Sequence, residues 1–160
     1  MALHVFTTDG SIDKTYSTAS SSFEVGEPQA QRLLHEAGVT GEYLVEPLCR
    51  KDSLDLTDGD RRLIADAVRR SPHRHILITH GTDTMAETAR ALAGIPDKVI
   101  VLTGAMKPAA FRDSDAPFNL GFAVAALRTL PPGVAIAFHG RLFDPERTGK
   151  SGAKDRFEDL

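Results

Sequence analysis

Short apolar runs rich in β-branched residues recur along the chain, separated by longer segments in which apolar and polar residues alternate with helical spacing. Each run is too short for a buried helix, and its composition is typical of a strand. The pattern therefore predicts five strands, at residues 3–6, 43–48, 75–79, 98–102 and 134–138.

The segments between these strands carry helix signals. Proline occurs near the start of two of them, and glycine or a proline pair follows the end of three. Regular alternation of strand and helix favours a parallel sheet covered by helices on both faces. We expect residues 1–160 to form one α/β domain with a flavodoxin-like, doubly wound, mainly parallel sheet. The predicted helices span residues 28–37, 58–70, 85–92 and 117–130.

The charge balance and the cysteine content limit which binding partners and which cellular compartment are expected. The 19 Lys and Arg residues are balanced by 22 Asp and Glu residues, so neither nucleic acid nor a membrane surface is an expected partner. Cys49 is the only cysteine, which suits a reducing compartment. The first residues lack the pattern of a secretory signal, and no apolar run approaches the ~20 residues of a membrane span. A cytoplasmic protein with a small-molecule partner is expected.

Polar clusters follow the predicted strands. In a parallel doubly wound sheet the carboxyl ends of the strands meet at one crevice, where ligands bind. Polar residues also simply populate loops, which is the alternative for any single cluster. Together, however, hydroxyls, carboxylates, lysine and glycine are the groups that acyl transfer requires. The clusters lie at residues 7–11, 51–53, 80–84, 103–107 and 144–150.

Three of these regions and one further segment resemble parts of one enzyme family. The string HGTDTM at residues 80–85 resembles the second signature of bacterial-type L-asparaginases and their glutaminase relatives. GAMKP at 104–108 and DAPFNL at 115–120 are similar to further segments of that family. Residues 8–12, TDGSI, resemble its first signature, TGGTI. The resemblance implies a short, single-domain form of these enzymes.

The resemblance also implies catalytic roles for five residues. Ser11 stands where the family has the threonine that accepts the acyl group, and Tyr16 matches a loop tyrosine that assists it. Thr82 corresponds to a second hydroxyl, linked to the amine of Lys150, which Asp83 orients. A serine at position 11 keeps the nucleophilic hydroxyl but lacks the methyl group that restricts the rotamers of threonine.

Substrate contacts are implied in the same way. Ser53 matches a serine that binds the substrate α-carboxylate, and Asp83 is suited to the α-ammonium group. Backbone amides near Gly10 and Thr82 would stabilise the oxyanion. No cofactor and no metal is implied. The expected substrate-binding residues are Gly10, Asp52, Ser53, Gly81, Thr82 and Asp83.

Structural alternatives exist for several of these residues. Tyr16 can be a packing residue, and the Ser- and Thr-rich residues 15–23 look like a mobile loop that could close over the site. Thr82 can cap the following helix, with Asp83 supporting its first turn. Residues 52–53 can cap the helix that begins near Asp58.

Asp9 departs from the family, which has glycine at this position. Aspartate tolerates the left-handed backbone region, so the turn can survive. Its charge would either repel an anionic substrate or contact the ammonium group of the substrate. His73, His75 and His80 suggest a metal site, but their spacing and the lack of a carboxylate pattern favour structural roles.

Hydrolysis of the side-chain amide of L-asparagine to L-aspartate is therefore the expected function. Long members of the family carry a second domain that helps to bind the substrate from a neighbouring subunit, so a homodimer or a higher oligomer is expected for this chain. One alternative is an asparagine-binding or regulatory homologue with little or no turnover. Another is an enzyme that acts on a different amide, such as glutamine.

Overall fold

The computed structural model describes residues 1–151, 153–154 and 156–160, and its strands and helices lie within these ranges. The strands are β1 (Leu3–Thr7), β2 (Lys14–Ser17), β3 (Ser22–Val25), β4 (Tyr43–Pro47), β5 (His75–Thr79), β6 (Val99–Thr103), β7 (Gly133–Phe138), β8 (Arg141–Phe143), β9 (Thr148–Ser151) and β10 (Arg156–Asp159). The helices are α1 (Ala30–Glu36), α2 (Asp58–Arg70), α3 (Met85–Ala91) and α4 (Ala116–Thr129). Short 3₁₀ turns span Ser11–Asp13, Ser53–Asp55 and Pro145–Arg147.

The central sheet has the strand order β4-β1-β5-β6-β7-β8. The first five strands are parallel, and β8 pairs with β7 in the antiparallel direction at one edge. The predicted α/β fold with a mainly parallel sheet is therefore confirmed. The strand order reverses at β1, which places the switch point of the doubly wound topology between β1 and β5.

Two apolar layers cover the two faces of this sheet. Alternate residues of each inner strand point to opposite faces, so Ile76 and Ile78 belong to one buried cluster and Leu77 belongs to the other. The first cluster contains residues of α2 and α3, and the second contains residues of α1 and α4. Burial on both faces explains why the strand sequences are continuous apolar runs.

The helix predictions agree with the structure to within two residues at each end. The largest difference is at α1, which begins at Ala30 rather than at residue 28. The bounds of α2 are as predicted because Thr57 and Asp60 form a capping box at its start. Within the described residues, none of the helices is long and apolar enough to cross a membrane.

Two predictions of local structure are wrong. Residues 15–23 do not form an irregular loop, because most of them belong to the β2–β3 hairpin, in which Tyr16 pairs with Phe23. The edge strand β8 and the β9–β10 hairpin were also missed. These strands are only three or four residues long, and contacts with neighbouring elements stabilise them rather than a periodic apolar pattern.

Candidate functional site

Three loops meet in the crevice at the carboxyl ends of β1, β4 and β5. The strands are in register at this edge, where Thr7 lies opposite both Pro47 and Thr79. A β-carbon on Gly10 would collide with the backbone of Gly81, and one on Gly81 would lie 2.6 Å from Oγ of Ser53. Only glycine allows the chain to pass this closely at both positions.

The first loop (residues 8–13) leads from β1 to the candidate nucleophile. Asp9 has a φ of 65° and Gly10 a φ of 140°, so the turn survives the aspartate, as predicted. Ser11 then opens the 3₁₀ turn and is partly buried. The two roles expected for a charged Asp9 do not fit, because its side chain is buried, and burial together with the neighbouring Asp13 raises its pKa to about 8.

The second loop (residues 80–84) is held by a buried histidine. The Nδ1–H group of His80 donates to the carbonyl oxygen of Gly81 at 2.7 Å, and its Nε2 accepts from the hydroxyl of Thr88 at 2.8 Å. Burial lowers the pKa of His80 to about 4, which keeps the ring neutral and suited to this pair of bonds. His80 therefore positions the residue before Thr82. The sequence suggested only a metal ligand or an unspecified structural role for this histidine.

Thr82 lies at the floor of the crevice. Its side chain is buried, and its hydroxyl makes no hydrogen bond to any described residue. The suggestion that Thr82 caps the following helix is wrong, because the cap position of α3 belongs to Thr84. Thr84 instead donates its hydroxyl to the carbonyl oxygen of Ser53 at 2.7 Å, which ties the second loop to the segment after β4.

Lys150 reaches the second loop from a remote part of the chain. Its Nζ lies 2.7 Å from Oδ1 of Asp83, although the two residues are 67 positions apart in the sequence. The lysine side chain is 17% exposed and the aspartate side chain 41% exposed. Lys150 lies on β9 opposite Phe157 of β10, so the hairpin that the sequence did not predict delivers this amine to the crevice.

The segment after β4 contributes a buried hydroxyl. Ser53 is fully buried and its Oγ has no hydrogen-bond partner among the described residues. Asp52 is occupied, because Oδ2 pairs with Lys14 Nζ at 2.6 Å and Oδ1 accepts from the amide of Leu54 at 3.2 Å. Asp52 thus caps the turn Ser53–Asp55, whereas α2 is capped by Thr57.

Tyr16 stands apart from these groups. It is 57% exposed, and its ring packs against Phe23 with 5.6 Å between ring centroids. Phe23 in turn packs against Phe111 at 5.5 Å. Within the described part of the chain, Tyr16 makes no hydrogen bond to Ser11. In this conformation its ring packs against Phe23, and its role beside the nucleophile stays a prediction.

A further set of buried polar groups, not recognised in the sequence, supports the loop after β6. Asp115 accepts from the amides of Met106 and Lys107 at 3.0 and 2.9 Å. Asn119 donates to the carbonyl oxygen of Gly104 at 3.0 Å. Burial favours a raised pKa for Asp115, but the amide donors and a contact with a histidine outweigh it and hold this pKa below its usual range. The only sequence signal was the resemblance of residues 115–120 to a family segment.

The crevice thus brings together several kinds of group that acyl transfer uses. Two hydroxyls, from Ser11 and Thr82, lie on loops whose glycines touch each other, and an amine pairs with the carboxylate of the residue after Thr82. The amides of Gly10 and Thr82 donate to no described backbone oxygen. Among the described residues, no three His, Cys, Asp or Glu side chains gather closely enough to hold a metal ion.

These features define a doubly wound α/β domain with a hydroxyl, lysine and carboxylate site at its switch point. Residues 2–158 match the family model described as "Asparaginase, N-terminal", and the chain belongs to that family.

Several curated relatives are asparaginases from distant organisms. The chain is 36% identical over 117 residues to a glutaminase-asparaginase of Acinetobacter glutaminasificans, an alignment that covers 69% of this chain and 34% of the relative. It is 30% identical over 153 residues to L-asparaginase 2 of Escherichia coli K12, covering 87% of this chain and 43% of the relative. The chain therefore spans less than half the length of these two relatives.

Solved structures of three asparaginases are also similar to this chain. The thermostable L-asparaginase from Thermococcus kodakarensis superposes with a TM-score of 0.85 at 30% identity, covering 100% of this chain and 51% of that one. L-asparaginase I from Vibrio cholerae superposes with a TM-score of 0.83 at 28% identity, covering 99% of this chain and 51% of that one. A probable cytoplasmic L-asparaginase from Campylobacter jejuni gives a TM-score of 0.78 at 26% identity, covering 99% of this chain and 51% of that one.

Proposed function

We propose that this domain hydrolyses the side-chain amide of L-asparagine to L-aspartate and ammonia. In the first step the hydroxyl oxygen of Ser11 attacks the amide carbon, and its proton passes to the leaving nitrogen, which departs as ammonia. Water then attacks the resulting ester and releases aspartate, and Ser11 regains its proton. The names of the relatives, which include L-asparaginases and a glutaminase-asparaginase, support this chemistry.

The 2.7 Å contact between Lys150 and Asp83 is the observation that carries the proposal. An exposed ion pair between two flexible side chains contributes little to stability. This pair instead holds an amine that is 17% exposed against the residue that directly follows Thr82, and the hydroxyl of Thr82 has no described partner. Thr82 and Lys150 can therefore relay the proton that leaves Ser11.

Substrate binding follows from the groups that remain unpaired. The buried Oγ of Ser53 lacks a partner, and an unsatisfied buried hydroxyl costs about 1–3 kcal/mol, which a ligand carboxylate would offset. Asp83 uses one oxygen for Lys150, which leaves the other for the substrate ammonium group. The free amides of Gly10 and Thr82 would bind the developing oxyanion. Gly81 and Asp52 shape and support this pocket.

Ammonia release by the purified chain tests the proposal. We expect turnover with L-asparagine, and a loss of at least about a hundredfold in kcat for Thr82→Val, because a positioned proton-transfer group contributes ~10²–10⁴-fold. Thr40→Val, a change at an exposed threonine, is the matched control. L-glutamine, assayed in parallel, tests the other amide named by the Acinetobacter relative.

The rival proposal is a binding or regulatory homologue. It predicts that calorimetry detects asparagine binding and that no ammonia is released above background. The Thr82→Val substitution would change neither result. That combination of results would overturn the enzymatic proposal.

Assembly and location are parts of the same proposal. We infer that residues 1–160 act as one domain in a homodimer or higher oligomer. Sedimentation analysis with and without asparagine measures this. A cytoplasmic location is supported by the lone Cys49, which is free, and by the name of the Campylobacter neighbour. Cell fractionation tests it.

A further inference from the structure

Two carboxyl groups are buried beside the candidate nucleophile. Asp9 and Asp13 are each only 1% exposed, they bracket Ser11 in the first loop, and Asp13 is among the groups that raise the pKa of Asp9. The amide of Gln29 donates to Oδ1 of Asp13 at 2.7 Å. The other three carboxyl oxygens have no donor among the described residues. Two buried carboxylates this close cannot both be ionised without a large cost in free energy.

One shared proton removes the electrostatic repulsion between the two buried carboxylates. Two carboxylates only accept hydrogen bonds, but one protonated carboxyl can donate to the other. We infer that Asp9 and Asp13 share one proton in a buried carboxyl–carboxylate hydrogen bond, and that this pair positions Ser11 in the first loop.

The backbone explains how the pair acts on Ser11. Asp9 immediately precedes Gly10, whose backbone touches Gly81, and Asp13 ends the 3₁₀ turn that Ser11 opens. The amide of Asp13 donates to the carbonyl oxygen of Gly10 at 3.1 Å. A hydrogen bond between the two side chains thus closes the first loop across Ser11. Both side chains are buried away from the open crevice, so they act as positioning residues.

The surrounding charges do not neutralise a second negative charge. Arg50 attracts Asp9, but its guanidinium is paired with Glu27 at 2.7 Å, and Glu27 opposes its effect. Burial raises the pKa of the nearby Cys49 thiol to about 11, so the thiol stays neutral while the pair titrates. Burial also raises the pKa of Asp13. Removal of the shared proton therefore favours opening of the first loop to water.

The pH dependence has a definite sign. In the folded protein the pKa of Asp9 is raised from 3.8 to about 8, so the folded form keeps a proton that the unfolded form loses. Stability from this group is fully present below about 3.8 and is lost as the pH rises through about 8. If amide hydrolysis is the function, kcat should fall over the same alkaline range, by roughly tenfold for each pH unit above the pKa.

Asp9→Asn tests this inference, because an amide donates like a protonated acid but does not titrate. The matched control is Asp97→Asn, which changes an exposed aspartate with a similar left-handed backbone, at φ 59°. At neutral pH we expect the infrared carbonyl band of a protonated acid in the wild type and the control but not in Asp9→Asn. As the pH is raised into the alkaline range, the melting temperature and kcat of the wild type should fall. Both quantities should fall less in Asp9→Asn.

Two outcomes overturn the inference: absence of the protonated-acid band at neutral pH in the wild type, or the same alkaline loss of stability in Asp9→Asn. The infrared and melting measurements require no turnover, so they remain decisive if the proposed hydrolysis fails. If Asp9→Asn does not fold, Asp13→Asn removes the shared proton from the other side, with the same expected results.

Discussion

The first and second loops follow adjacent parallel strands and touch through Gly10 and Gly81, yet they are stabilised in opposite ways. A neutral histidine with both ring nitrogens bonded holds the second loop, and a lysine pairs with its aspartate. The first loop rests on two buried carboxyl groups with three unpartnered oxygens among the described residues. The histidine that holds the second loop has both ring nitrogens satisfied without a ligand, whereas the first loop depends on a proton.

This difference predicts opposite pH limits for the two loops. Burial keeps the pKa of His80 near 4, so its contribution to stability is lost only on the acid side. The pKa of Asp9, raised to about 8, makes its contribution disappear on the alkaline side. The crevice should therefore be best ordered between these limits, and each limit can be removed by a different substitution.

Lys150→Met should have the largest effect, because it removes the amine that serves the second loop. The methionine keeps a similar length and apolar stem but cannot take part in proton transfer. We expect kcat with L-asparagine to fall by about 10²–10⁴-fold, with a smaller change in KM. Steady-state ammonia release measures both constants.

Lys154→Met provides the control, since Lys154 is also paired with an acidic residue but lies outside the crevice, where it contacts Glu158. A Lys150→Met enzyme that retained the turnover of this control would remove the lysine from the mechanism. Ser11 would then need another route for its proton.

His80→Gln should have an intermediate effect, seen mainly as stability. In the folded protein the pKa of His80 is lowered from 6.5 to about 4, so the unfolded form binds a proton first as the pH falls. The wild type should thus lose on the order of 3 kcal/mol of stability from this group between those two values. Denaturant unfolding at several pH values measures the loss, which glutamine should abolish.

The same variant should be less stable at neutral pH by about 1–3 kcal/mol, because Gly81 or Thr88 loses its bonding partner. His35→Gln, at an exposed position on α1, is the control and should change neither quantity. If the stability of His80→Gln fell as steeply at acid pH as that of the control, groups other than His80 would be responsible for the loss.

Much of the fold was predictable because it rests on burial. The runs that became β5 and β6 are apolar on both faces, and the capping residue Thr57 marks the start of α2. The β2–β3 hairpin carries no such pattern. Its strands are half exposed. Tyr16 and Phe23 come into contact only once the turn brings the two strands together.

The site was predictable only where the sequence keeps the family strings. Thr82 and Asp83 lie within such a string, and the proximity of Asp83 to Lys150 followed from resemblance rather than from the residues between them. The role of His80 depends on burial and on the exact tautomer, neither of which a motif contains. The charge of Asp9 was expected to act on the substrate, because nothing in the sequence indicates that Asp9 is buried near Asp13.

Ser11→Thr should have the smallest effect and would sharpen the contrast between the loops. Threonine has two heavy atoms on its β-carbon, which limits the rotamers of the nucleophile and should raise kcat by about threefold if the rotamer is now the loosest part of the first loop. Ser11 is only partly buried, so the added methyl group has room in the crevice. Ser20→Thr, in the exposed turn of the β2–β3 hairpin, is the control.

A Ser11→Thr enzyme with much lower kcat would mean that the buried Asp9–Asp13 pair has shifted the loop so that a serine is required. The double variant Asp9→Asn with Ser11→Thr should then recover the lost turnover.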